Sequence, residues 1–150
     1  MNQIYLKSKR AVRFFFYRHL SIAAQLQISN ILIDEDLIKQ YWLLNKADRH
    51  HSFEVLNRSK KITEDPDVLI LSLLHDIGKN TGHYSWLFRI MSDLNLVTSK
   101  KSKNYLDHEV IGYEVLGSID GLDELKNYYQ KELLLREEES LKLQVSIRCF

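Results

Sequence analysis

One stretch limits the possible folds of this chain more than any other: Asp65-Pro66-Asp67-Val68-Leu69-Ile70-Leu71-Ser72-Leu73-Leu74-His75-Asp76-Ile77-Gly78. Aspartate followed by proline is a helix start signal. The carboxylate can accept a backbone N–H, and the fixed φ and missing donor of proline suit the first helical position. Val68 to Ile77 is apolar nearly all round, which predicts a helix covered on every side by others. Gly78 is expected to stop it. A chain of 150 residues with 45% hydrophobic content can supply that cover. One domain over 1–150 is expected at this length. With one proline, five glycines and no long alternating pattern, the fold class reads as all-α.

Further helices follow from the same signals. A basic and aromatic helix is expected over about Lys7 to Gln27, carrying Lys7, Lys9, Arg10, Arg13 and Arg18 beside Phe14, Phe15, Phe16 and Leu20. A membrane-surface or phosphate-facing role fits that pattern, but a core-packing helix with a solvated basic face is the commoner case. A second helix should begin near Asp34 or Asp36 and run through Leu37, Tyr41, Leu43 and Leu44. A third starts around Ala47 and carries His50, His51, Phe53, Val55 and Leu56. Beyond the central helix, further helices are expected over Tyr84 to Leu94, about Asp107 to Ser118, and from about Leu122 onward. Between the first two of these, Thr98 to Asn104 is rich in lysine and reads as a mobile loop.

Composition excludes some classes. Formal net charge is +1, from 21 basic and 20 acidic residues, so no global attraction draws the chain to nucleic acid and no nucleic-acid partner is expected. No apolar run approaches the roughly 18 residues of a membrane span. The single cysteine, Cys149, allows no internal disulfide, and no secretory signal is visible, so the cytoplasm is the expected compartment. Neither a nucleophile elbow nor a phosphate-cradling glycine-rich loop occurs.

The chemistry is concentrated at His75-Asp76. Placing an ionised carboxylate beside imidazole at the end of the most apolar helix is costly unless something pairs with it. A divalent cation would serve, since imidazole nitrogen and carboxylate oxygen both suit zinc, manganese or iron. A helix end with Gly78 and Lys79 as ordinary capping explains the same residues equally well. Upstream, Asp48-Arg49-His50-His51-Ser52-Phe53-Glu54-Val55 tips the balance towards metal. His51 and Val55 form an i, i+4 pair, so His51 lies on an apolar face while His50 can look outward.

These two segments together resemble the HD superfamily of metal-dependent phosphohydrolases. The resemblance rests on His51-Ser52-Phe53-Glu54-Val55, on Asp67 to Lys79 with its His75-Asp76-Ile77-Gly78-Lys79 ending, and on His108-Glu109-Val110-Ile111-Gly112-Tyr113. It covers roughly Ala47 to Ser118. It implies a compact helical HD-like bundle, with metal ligation by His51, His75 and Asp76. It further implies hydrolysis of a phosphate ester on a phosphorylated small molecule, often a nucleotide. The cofactor would be a divalent ion: manganese, iron, zinc or magnesium. Asp76 would both bind the ion and act on water. Lys79 would lie near the phosphate, and reads equally as a surface lysine after a helix stop. His108 is a further candidate ligand, with an exposed histidine at a helix start as its rival. His83 is a candidate substrate contact, with a plain loop histidine as the commoner case. Lys100-Lys101-Ser102-Lys103 could attract an anionic substrate, though a solvated loop accounts for it.

The tail departs from the family pattern. A late aspartate is expected there, yet none follows Asp123. His108, Asp120 or Asp123 would have to complete the site. Otherwise the chain is a non-catalytic or degenerate HD-like module that binds a nucleotide or a protein partner.

Overall fold

A computed structural model describes residues 19–81, 88, 91–92, 97, 99–100, 103 and 107–135. Among them the chain is all-α, with no strand. The helices are α1 (Ile22–Ile31), α2 (Glu35–Leu43), α3 (Lys46–Ser59) and α4 (Pro66–Leu74), then a 3-10 turn over Ile77–Thr81. They are followed by α5 (His108–Gly117) and α6 (Asp123–Tyr129), which runs on into a π-helical segment, Gln130–Leu135. No helix among the described residues is long and apolar enough to cross a membrane.

Each early helix begins on a side-chain cap. Ser21, Asp34, Asn45 and Asp65 accept from the backbone N–H groups of Ala24, of Asp36 and Leu37, of Asp48, and of Asp67. These bonds satisfy donors that the first turn cannot use internally. Asp65 and Pro66 act as expected from the sequence. The helix expected over Lys7 to Gln27 is different. Residues 19–21 are non-helical, Ser21 caps the helix, and that helix continues to Ile31; residues 7–18 of the expected span lie outside the described residues.

The core gathers around α4. Val68, Leu71, Leu73 and Leu74 have no solvent exposure, and neither do Ile28, Leu32, Tyr41, Val55, Leu56, Ile77, Leu116 and Tyr129 from the elements around them. Burying an aliphatic side chain of this kind stabilises by about 1.5–3 kcal/mol. The closest packing joins α3 to α4 and α5 to the 3-10 turn. Where α3 and α4 cross, Ser59 and Ser72 share a buried hydrogen bond of 2.6 Å, and Ser72 Oγ also donates to the Val68 carbonyl.

Gly78 does not end the central helix. The α-helix closes at Leu74, with His75 as C-cap still donating its N–H to Leu71, and the chain then tightens into 3-10 geometry, Lys79 N–H bonding to Asp76. The role of Gly78 is close approach. A Cβ there would overlap the carbonyl oxygen of His108 and crowd the nitrogen of Gly112. Gly112 in turn leaves room for the Tyr129 hydroxyl, which a Cβ would strike. The two glycines let α5 and α6 lie directly on the turn that follows His75-Asp76.

The remaining boundaries also differ in places. Lys100 and Lys103 are helical, and Lys103 N–H bonds to Ser99 while Asp107 N–H bonds to Lys103, so the described part of the expected lysine loop carries helical bonding. The expected helix over Tyr84 to Leu94 falls largely outside the described residues. The helix from about Leu122 begins at Asp123 and changes to π geometry at Gln130.

Candidate metal centre

The site lies where three elements meet at one end of α4. His51 projects from the middle of α3, His75 and Asp76 from the end of α4, and His108 from the first position of α5. The ring centroids of His51 and His75 are 5.3 Å apart, with the planes at 72°. One ligand atom from each of His51, His75 and Asp76 fits within a span of 4.8 Å. Two imidazoles and a carboxylate so arranged form a donor set suited to a divalent ion, leaving further positions for water or substrate.

His75 is the most informative member. Its Nδ1 lies 3.0 Å from the carbonyl oxygen of Ser72. A carbonyl only accepts, so Nδ1 carries the hydrogen and Nε2 presents a lone pair. That Nε2 is buried and has no hydrogen-bond partner among the described residues. Burial above all holds the ring below its usual pKa, outweighing the opposite pull of Asp76, and keeps it neutral. Leaving such an acceptor unsatisfied costs about 1–3 kcal/mol. Metal-binding histidines have this arrangement: one nitrogen donates to a protein carbonyl and the other faces the ion. The residues present therefore fit a metal.

Asp76 carries the negative charge. It is 2% exposed and follows directly on a helix C-terminus, where the macrodipole disfavours an anion. Burial pushes its carboxyl upward, but the Lys79 ammonium, then His75 and His108, more than offset this and hold it well below the usual carboxylate range. Lys79 Nζ contacts Oδ2 at 2.7 Å, and His108 Nε2 approaches Oδ1 at 3.3 Å. Lys79 is thus brought to the site as the counter-charge of Asp76. His108 also meets the site, as a neighbour of Asp76 outside the three-residue cluster. Asp107 precedes it without capping α5 through its side chain.

Other expected residues fall elsewhere. His83 lies outside the described residues. Asp120 and Asp123 are exposed, in the turn before α6 and in its first turn, and neither joins the cluster. Among the described residues the buried late acid is Glu132, on the π segment, where its negative charge, after burial, helps raise the pKa of the Tyr128 phenol. It too stands outside the cluster. Sequence reading missed Tyr129. Its hydroxyl, which burial keeps protonated, lies 3.4 Å from the His75 carbonyl oxygen and ties α6 to the turn that carries His75-Asp76.

Comparison with known proteins agrees with this geometry. The family model described as "HD domain" matches residues 49–145, and the chain belongs to that family. The match takes in all three cluster residues, His108 and the π segment. No curated protein and no solved structure matches the chain.

Proposed function

We propose that this protein is a metal-dependent phosphohydrolase, with His51, His75 and Asp76 as ligands of a divalent cation. The buried Nε2 of His75, which has no hydrogen-bond partner among the described residues, lies 3.7 Å from Asp76 Oδ2 and is already in the tautomer that a ligand needs, is the observation that carries the reading. A bound cation would supply an activated water and polarise a phosphoryl oxygen. Around it, Asp76 orients water as well as holding the ion, and His108 steadies the Asp76 carboxylate through Oδ1. Lys79 has a flexible ammonium within reach of both Asp76 and an incoming phosphate, where it would balance negative charge gathered in the transition state. The substrate would be a phosphate ester of a small molecule, with nucleotides the first class to screen.

The test begins with metal content. Tagless protein, purified without chelator, should carry near-stoichiometric transition metal. His75→Ala and Asp76→Ala should lose it while keeping their helical circular dichroism. Hydrolysis of nucleotides and phosphate esters with added manganese would then be screened. A wild type that takes up no manganese, iron or zinc would sink the proposal.

A second reading rests on a specific observation: no aspartate follows Asp123, and Asp120 and Asp123 are exposed away from the cluster. Under it the chain is a non-catalytic HD module that binds a nucleotide or a protein partner. Metal retained at one ion per chain, with no turnover across the ester panel, would favour it.

A further inference from the structure

We infer that a second pocket, on the opposite side of α3 from the metal cluster, is a binding site for a phosphate-class oxyanion. A cavity of about 230 Å³ lies between the chain before α1, the end of α2 and the first turns of α3. It is lined by His19, Leu20, Gln25, Trp42, Lys46, Arg49 and His50, with no acidic residue among the described lining. Two permanent cations and two imidazoles therefore face one small space.

Arg49 is the centre of the argument. Its guanidinium carbon sits 5.4 Å from the centroid of the Trp42 ring, and Trp42 is itself braced edge-on by Tyr41 at 5.2 Å. Stacking holds the fork in place without using its donors. Its Nε is buried and has no hydrogen-bond partner among the described residues. Arg49 lines the cavity with its guanidinium plane fixed over Trp42, and a guanidinium so held suits a planar or tetrahedral oxyanion. The neighbouring acid does not neutralise it by lining the space: Asp48 turns its Oδ2 to Asn45 Nδ2 at 2.6 Å. The N-terminus of α3, a helix of 14 residues, adds partial positive charge on the same side.

The size limits the ligand. The cavity is below the roughly 300–1,000 Å³ of pockets for drug-sized molecules. It suits free phosphate, or the phosphoryl end of a small monoester whose remainder projects outward past Lys46, which is exposed. Neither His51, His75 nor Asp76 lines it. The site therefore does not depend on the hydrolase reading.

The experiment uses chelator-treated His75→Ala protein, so that the metal centre cannot hold the probe. Inorganic phosphate, glycerol phosphate and a nucleoside monophosphate are titrated separately by calorimetry. In parallel, tryptophan fluorescence is followed in a Trp86→Phe background that isolates Trp42. Saturable binding with a change in Trp42 emission is expected. Arg49→Gln and Lys46→Gln should each weaken it about tenfold or more, the scale of a lost charge-assisted hydrogen bond. Lys46 is exposed at the helix start, so its variant keeps the test standing if Arg49→Gln unfolds. Tighter binding of an ester than of phosphate would identify the ester as the natural form; equal binding would identify the free ion. The inference fails if none of the three probes saturates, or if both substitutions leave the affinity unchanged.

Discussion

The two ends of α4 carry the same kinds of residue to opposite effect. At the N-terminal end Asp65 caps the helix, Pro66 occupies the first turn, and Asp67 adds a carboxylate where the macrodipole welcomes one. At the C-terminal end Asp76 places a carboxylate where the dipole opposes it, almost wholly buried, beside a histidine whose Nε2 has no hydrogen-bond partner among the described residues. The first end is explained by the needs of a helix. The second is not, and a chain selected for stability alone has little reason to keep it. That contrast separates groups that the helix itself accounts for from groups that it does not.

Substitutions at both ends sharpen the contrast. Asp76→Asn should weaken metal binding by more than the roughly 10–100-fold that loss of an outer partner costs. Asp65→Asn, which can still cap, should leave metal content at the wild-type level. Equal loss in both variants, read by metal analysis of folded protein, would remove the distinction. Next in size, Gly78→Ala should destabilise by about 1–3 kcal/mol in urea unfolding, because its methyl meets backbone rather than a flexible side chain.

Acid should act chiefly through the functional end. Folded His75 is held below its usual pKa of 6.5 while the unfolded chain takes up its proton near that value. Between the two values the unfolded state binds more protons, so stability is full above this window and falls as pH drops through it. In metal-free protein the slope for one such proton approaches about 1.4 kcal/mol per pH unit. The comparison is the slope in wild type minus that in His75→Gln; identical urea midpoints for both across about pH 7 to 5 would count against a neutral, buried ring. The smallest effect belongs to the folding end, where Asp65→Ala should cost about 1 kcal/mol with no change in metal content.

How far the sequence revealed this arrangement depended on whether the determinants were local. Asp65-Pro66 is a complete signal in two adjacent residues, and the all-round apolar character of α4 needs no knowledge of its partners. The proximity of His51 to His75 followed from a family resemblance that supplied the missing long-range information. Gly78 was misread because its reason lies far along the chain, in the backbone of His108 and Gly112; nothing between residues 74 and 80 distinguishes a stop glycine from a contact glycine. The helix start at Ser21 was hidden because the aromatic and basic residues before it suit a helix that runs straight through. The cavity around Trp42 and Arg49 is divided among three helices, α1 through Gln25, α2 and α3, and the chain before them at His19 and Leu20, and only their packing brings it together.

The bond between His75 and Ser72 has one more consequence. Its acceptor is a main-chain carbonyl, so every amino acid at position 72 would offer it equally. The choice of which imidazole nitrogen faces inward is therefore invisible to an alanine scan, and free to persist while the residue that supplies it drifts. Comparison of side chains across distant relatives would pass over this determinant altogether; an amide-to-ester replacement that weakens the carbonyl at position 72 is the kind of edit that would expose it.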